Sequence, residues 1–293
     1  MRVFIRFCSR IKYLGLLGFP SFFMDYKLFD FLWSFWLFGL IEIFYNFPVF
    51  VQSVKQLAGM LIILIHYGRE LPDAETYRCK VQYSLPFRGN WTVVNGSIEK
   101  EFSHSWNLPP QRYAYDFIIL NEEGRSYTGN KSDVGSYHCY GQEILAPADG
   151  EVVECRTGSK DSFMSTDGQI DCSAKDIRGN YIIIRHAKEE YSLLAHLKPD
   201  SVIVRKGDNV KRGQIIALCG NTGNSSEPHL HFQLQKGANF YTSPGLPIEF
   251  KEIEITSPAI YPNYDTRPVP ASTDPKSTYI ARGQNVMNKV SVL

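Results

Sequence analysis

The stretch Pro228-His229-Leu230-His231-Phe232-Gln233-Leu234 holds the densest group of chemically active side chains in the chain. Its alternating pattern predicts a β-strand, in which successive side chains point to opposite faces, so that His229 and His231 share one face. Neutral imidazole is a common ligand of transition metals, and a second imidazole beside it can move a proton near neutral pH. The stretch therefore predicts a strand that carries one metal ligand and one proton-transfer group.

Three shorter sequence words precede this strand. They are Ala195-His196-Leu197, the V-x-x-G-Q-x-I pattern of residues 210–216, and Gly220-Asn221-Thr222-Gly223-Asn224-Ser225. In this order and at this spacing, the four words closely resemble the lysostaphin-like or LytM-type zinc endopeptidases, which cut cell-wall peptides. The resemblance covers about residues 100–250, and four ordered words are far more specific than any one of them.

The resemblance implies a zinc site in which one ligand position differs from the family pattern. In that family a histidine and an aspartate, usually four residues apart on one strand, bind zinc together with the second histidine of the His-x-His word. Asp116 and His231 match two of these ligands, but four residues before Asp116 stands Arg112, a permanent cation that cannot bind a metal ion. We expect the upstream His104 to be the third ligand. The competing interpretation leaves His104 on the surface and metal binding weak or lost.

With His104, Asp116 and His231 as ligands, the resemblance implies one Zn²⁺ ion. A catalytic zinc keeps a fourth position for water, whose pKa falls from about 15.7 toward roughly 7. The resemblance assigns His196 and His229 to proton transfer and to stabilising the developing oxyanion. The loop residues Asn221, Thr222, Asn224 and Ser225 could line a groove for an extended peptide, and solvated turn residues are the alternative.

Bulk composition excludes some classes of partner. The chain has 293 residues and a formal net charge of +1, so nothing in its charge favours nucleic acid. None of the six cysteines forms a Cys-x-x-Cys pair. Cys155 and Cys172 flank a polar loop and could form a disulfide if the domain lies outside the cell, whereas separate buried thiols are the alternative.

Residues 1–12 are basic, and the apolar, aromatic-rich region that follows them continues to about residue 67, which predicts membrane association. The longest candidate span is Phe29–Val51, and Phe50–Tyr67 nearly suffices for a second. A soluble helical subdomain is the alternative, and a signal peptide fits less well because the apolar region is too long. The basic start favours a cytoplasmic N-terminus, so one crossing would make the following domain extracytoplasmic and two would return it to the starting side.

Turn signals and composition divide the chain into four regions. We predict a membrane-associated helical segment at 1–67, a linker with accessory strands at 68–100, a LytM-type peptidase domain at 101–250 and a polar, loosely ordered tail at 251–293. The many short strands at close spacing indicate a mainly β fold, either an antiparallel β-sandwich or a partly open barrel, preceded by the N-terminal hydrophobic helices.

These observations predict a membrane-anchored zinc metalloendopeptidase that hydrolyses peptide bonds in peptidoglycan cross-bridges or stems. Its partners are then the peptide substrate and membrane lipid, and a protein activator stays an open question. One rival function is a catalytically degenerate binding or regulatory module, which the departure at Arg112 favours. A carrier domain that bears a biotinyl or lipoyl group needs an exposed lysine at a tight turn between the relevant strands, and the sequence has none there.

Overall fold

The computed structural model describes residues 2–45, 47–164, 174–271 and 278–289. The helical elements come first: α1 (Arg2–Ile11), a 3₁₀ helix (Lys12–Phe22), α2 (Lys27–Leu32), a 3₁₀ turn (Trp33–Trp36), α3 (Leu37–Tyr45) and α4 (Phe47–Tyr67). Two helical stretches, Lys27–Tyr45 and Phe47–Tyr67, have the length and apolar composition needed to cross a bilayer. This finding is weak evidence for a membrane anchor, because buried helices and signal sequences can have the same properties.

The chain divides into two compact units, Met1–Val54 and Lys55–Leu293, and the division falls inside α4. The α4 turns that belong to the second unit pack on its β-sheet domain. Ile63 is buried, and Gly59 lies so close to Tyr241 that a Cβ atom at position 59 would come within 2.1 Å of the Tyr241 carbonyl oxygen. Only glycine fits at this contact.

The β-strands follow in the second unit. Those in the described residues are β1 (Trp91–Asn95), β2 (Tyr115–Ile118), β3 (Glu143–Leu145), β4 (Gly150–Arg156), β5 (Tyr181–Ala187), β6 (Glu190–Ala195), β7 (Asn209–Val210), β8 (Ile215–Leu218), β9 (Leu230–Gln235), β10 (Gly245–Leu246), β11 (Ile253–Thr256) and β12 (Asn285–Asn288). One large sheet has the order β11-β12-β1-β2-β9-β6-β5-β4-β7, with β10 also paired to β9. A second sheet joins β3 and β8.

Every pair of named strands is antiparallel. Leu230, Phe232 and Leu234 of β9 are fully buried in the main hydrophobic core, as expected for the apolar face of an alternating strand. The prediction of a mainly β, antiparallel fold preceded by apolar helices is confirmed. Cys155 carries a free thiol, while Cys172 lies outside the described residues.

The strand register places residues of the four central strands β1, β2, β9 and β6 directly opposite one another. Asn95 of β1 lies opposite Asp116 of β2, Asp116 lies opposite His231 of β9, and His231 lies opposite Ala195 of β6. Directly opposed residues point to the same side of a sheet. The register therefore brings one row of side chains from four adjacent strands to a single face.

The region after residue 250 departs from prediction. Strand β11 pairs with β12, and β12 pairs with β1, so both belong to the large sheet. Val286 of β12 is fully buried in the main core, and Ile253 and Ile255 of β11 pack against it. The prediction of a loosely ordered tail is wrong for these strands. Their apolar alternation spans only four residues each, and the Pro-rich and polar residues between them dominate the composition.

Candidate metal centre

Three predicted ligands meet at the row of opposed side chains. One ligand atom from each of His104, Asp116 and His231 lies within 4.8 Å of the other two. His104 Nε2 is 3.2 Å from Asp116 Oδ2, and His231 Nδ1 is 3.0 Å from Asp116 Oδ1. Ligand atoms about 2.0–2.2 Å from a shared zinc ion lie at most about 4.4 Å apart, so only small closing movements separate this group from a zinc site.

His104 reaches this group because its loop folds back over the sheet. Arg112 donates a hydrogen bond from Nε to the carbonyl oxygen of Trp106 at 3.1 Å, and its guanidinium lies 4.7 Å from the centre of the Trp106 ring. Arg112 stands where the resembled family has a metal ligand. Through its contacts with Trp106 it stabilises the loop that carries His104. His104 is largely buried, with 18% of its side chain exposed, so the structure does not leave it on the surface.

The hydrogen bonds of His231 define which of its nitrogens can bind a metal ion. Its Nε2 lies 3.0 Å from Gln233 Oε1. Gln233 Nε2 in turn donates to Gln235 Oε1 and to the carbonyl oxygen of Pro110, and Gln235 donates to the carbonyl of Gly237. Because this series fixes Gln233 Oε1 as an acceptor, His231 carries its proton on Nε2. In the neutral ring Nδ1 then offers a lone pair to a metal ion, and in the protonated ring Nδ1 donates to Asp116 Oδ1 at 3.0 Å.

Two further histidines surround the same carboxylate. His229 Nδ1 donates to the carbonyl oxygen of Glu227 at 2.8 Å, and His196 Nδ1 donates to that of Thr222 at 2.7 Å. Both Nε2 atoms therefore keep lone pairs, and His229 Nε2 is 3.7 Å from Asp116 Oδ1. The ring centres of His196 and His229 are 4.5 Å apart.

The electrostatics of this cluster suit a cation. Burial opposes ionisation of Asp116, but the neighbouring His104 and His229 and hydrogen bonds from His104 and His231 prevail, and its pKa falls well below its ordinary value. Burial also lowers the pKa of His196 well below its ordinary value, and His229 and His231 add to that effect. A carboxylate surrounded by imidazole lone pairs is repulsive unless a proton or a metal ion lies between them. The donor set therefore fits a divalent cation such as zinc.

The loop before β9, residues 221–225, contacts His196 and His229. Asn221, Thr222 and Ser225 are buried, so they neither line an open groove nor form a solvated turn. Thr222 Oγ1 accepts a hydrogen bond from the Asn180 backbone N–H and donates to the Leu197 carbonyl, so the carbonyl that orients His196 is itself fixed. The Asn221 Nδ2 group and the Ser225 hydroxyl also donate to backbone carbonyls inside the domain, whereas Asn221 Oδ1 is buried without a hydrogen-bond partner among the described residues.

Gln233 and Asn95 were absent from the predicted site. Gln233 lies two residues after His231 and on the same strand face, so strand periodicity alone could have identified it. Asn95 donates from Nδ2 to Asp116 Oδ2 at 2.9 Å, and nothing in its local sequence marks it. Both side chains act on a predicted ligand through a hydrogen bond.

Replacing Gln233 with leucine is expected to lower zinc affinity by about 10- to 100-fold, the usual effect of removing the hydrogen-bond partner of a metal ligand. The Gln233→Glu variant keeps an acceptor for His231 Nε2 and is expected to retain affinity within a fewfold. Competition with a zinc-binding dye measures both variants. Wild-type affinity in the leucine variant would show that Gln233 does not control the His231 tautomer.

Comparisons with known proteins find one family model and several similar proteins. The model for peptidase family M23 matches residues 136–243, a range that contains His196, His229 and His231. A peptidoglycan DD-endopeptidase, ShyA, of Vibrio cholerae is 45% identical over 56 residues, which are 19% of this chain and 13% of that protein. The murein hydrolase activator NlpD of Salmonella dublin is 34% identical over 125 residues, or 42% of this chain and 28% of that protein.

A solved zinc-containing peptidase from Vibrio cholerae aligns with a TM-score of 0.35 and 21% identity, covering 58% of this chain and 41% of that chain. The chain spans less than a third of the length of either curated relative. Residues 136–243 of the chain are therefore similar to peptidase family M23.

Proposed function

We propose that this protein is a zinc endopeptidase that hydrolyses peptide bonds in peptidoglycan, in its cross-bridges or stems. One observation carries the proposal: His104, Asp116 and His231 direct a carboxylate and imidazole nitrogens to within 4.8 Å of one another, in a pattern that a cation would relieve. The relative named as a peptidoglycan DD-endopeptidase supports the choice of substrate.

In this proposal His104 Nε2, Asp116 and His231 Nδ1 hold the ion. A bound zinc ion supplies Lewis acidity, which polarises a peptide carbonyl and lowers the pKa of a water molecule. His229 and His196 keep Nε2 free because their Nδ1 protons are committed to backbone carbonyls. Each can accept a proton at Nε2 and then donate it to an oxyanion or to the leaving amine.

We further propose that residues 1–67 anchor the chain in a membrane and that the peptidase domain at 101–250 is extracytoplasmic, where its substrate lies. Residues 68–100 then form the linker with its accessory strands, and strands β11 and β12 complete the sheet. Lys27–Tyr45 has the length and apolar composition of one span, and a single crossing from a cytoplasmic N-terminus makes the domain extracytoplasmic. Protease accessibility of the domain in spheroplasts tests this topology, and protection from added protease would contradict it.

A second candidate function is a regulatory module without catalysis. It is favoured by the match to the murein hydrolase activator NlpD, which covers more of this chain than the match to ShyA. Arg112 at the usual ligand position points the same way, but its contact with Trp106 gives it a role in placing His104. The two candidates differ in zinc content and in turnover.

The deciding experiment uses the full-length chain purified in detergent. Zinc content is measured by mass spectrometry of the metal, and cleavage is measured on purified peptidoglycan by analysis of the released muropeptides. The proposal expects one zinc ion per chain and new amino termini at one type of peptide bond. Zinc-free protein that releases no peptide would contradict it and leave the regulatory function.

A further inference from the structure

The segment Tyr261–Arg267 lies outside the range matched by the family model and yet reaches the candidate site on two sides. It begins with a 3₁₀ turn (Tyr261–Asn263). Tyr261 is buried and packs in a small cluster with Val94 of β1 and Ile118 of β2. The cluster anchors the segment beside the strands that carry Asn95 and Asp116.

Arg267 controls the orientation of Asn95. Its Nη1 donates to Asn95 Oδ1 at 2.9 Å, while Asp265 holds the guanidinium through Nε at 2.8 Å. Because the Asn95 oxygen accepts from Arg267, the Asn95 amino group must point the other way. It donates to Asp116 Oδ2 at 2.9 Å, which leaves Asp116 Oδ1 facing His231. A relay of two hydrogen bonds thus joins Arg267 to a proposed zinc ligand.

Tyr264 controls the other side of the site. Its hydroxyl donates to Glu227 Oε1, and Ser126 Oγ donates to Glu227 Oε2 at 2.9 Å. The backbone carbonyl of Glu227 accepts the Nδ1 proton of His229 at 2.8 Å. Tyr264 therefore fixes the residue whose carbonyl selects the His229 tautomer.

We propose that segment 261–267 positions the zinc site through two separate relays, Arg267–Asn95–Asp116 and Tyr264–Glu227–His229. The proposal rests on the zinc endopeptidase function proposed above. Among the described residues, neither Arg267 nor Tyr264 forms a hydrogen bond or ion pair with a proposed ligand, so both are positioning residues. The two relays end at residues with different proposed roles, a ligand and a proton carrier, and they predict different effects.

The Arg267 relay acts on metal affinity. In the full-length chain, Arg267→Ala is expected to weaken zinc binding by about 10- to 100-fold, measured by competition with a chelating dye. Arg267→Lys keeps the charge and a donor and is expected to recover part of the affinity. Arg185→Ala is the matched control, because Arg185 is also an arginine paired to a carboxylate, Glu151, but contacts no residue of the site.

The Tyr264 relay acts on turnover. Tyr264→Phe removes only the hydroxyl, and it is expected to lower kcat about tenfold with KM unchanged and zinc affinity within threefold of wild type. A purely structural role for the segment predicts a different result, in which both variants lose thermal stability, zinc affinity and kcat together. That result would overturn the proposal, as would unchanged zinc affinity in Arg267→Ala.

Failure of the underlying function has its own signature. If the wild-type chain takes up no zinc and releases no peptide, the endopeptidase proposal fails. The Arg267 relay is then judged by the side-chain amide resonances of Asn95, assigned through their loss in Asn95→Leu after selective ¹⁵N-asparagine labelling. Slow amide exchange in wild type that becomes fast in Arg267→Ala supports the relay. Fast exchange in wild type overturns it.

Discussion

His231→Ala is expected to abolish both zinc uptake and peptide hydrolysis. The change removes the Nδ1 donor opposite Asp116 and leaves two protein ligands, one fewer than a catalytic zinc site uses. Since a metal ion provides several kcal/mol of transition-state stabilisation, the rate is expected to fall by about 10³ or more. Zinc content and muropeptide release are measured on the same preparation.

The matched control for this variant is His138→Ala. His138 is also partly buried, but it contacts Thr128 away from the site and is expected to be replaceable without loss of zinc. His104→Ala tests the third proposed ligand in the same assay and is expected to lose zinc and activity, as His231→Ala does. A fully active His231→Ala protein would refute the ligand assignment.

His229→Ala and His196→Ala are expected to lose turnover while keeping zinc. Positioned acids and bases contribute about 10²- to 10⁴-fold to rate, so kcat is expected to fall within that range. Each imidazole has its Nδ1 committed to a backbone carbonyl, and that arrangement leaves Nε2 for proton transfer. Single-turnover kinetics combined with zinc analysis separates this role from metal binding.

His229 lies close enough to Asp116 for the opposite result to be informative. Loss of one equivalent of zinc from His229→Ala would make His229 a ligand and leave His196 as the remaining candidate for proton transfer. The His-x-His word would then contribute two ligands rather than one ligand and one proton carrier. Unchanged turnover in both variants would contradict any role in proton transfer.

Much of the sheet could be predicted from local pattern. Strand alternation placed His229 and His231 on one face and buried Leu230 and Phe232 on the other, because a period of two residues is a local property of the chain. Family resemblance supplied the expected partners, and the geometry now brings His104 to Asp116. The location of His104 could not follow from periodicity, since a loop fastened by Arg112 and Trp106 carries it.

The hydrogen bonds that join Arg267, Asn95 and Asp116 could not be predicted from the sequence for a different reason. Arg267 and Asn95 are 172 residues apart, and Asn95 and Asp116 are 21 apart. Such contacts depend on which strands become neighbours, and strand order is not written in the local pattern of any one strand. The four-residue strands β11 and β12 escaped prediction for the same reason: their identity comes from pairing with each other and with β1.

The position of β12 has a consequence for biogenesis. This strand covers the edge of β1, and its Asn288 side chain also binds the backbone of Leu85 and Phe87. Until residues 285–288 have left the ribosome, β1 presents unpaired amide and carbonyl groups, and the segment before it lacks a buried partner. The domain thus cannot finish folding during early translation, and nascent chains halted before residue 285 would be targets for chaperones and proteases.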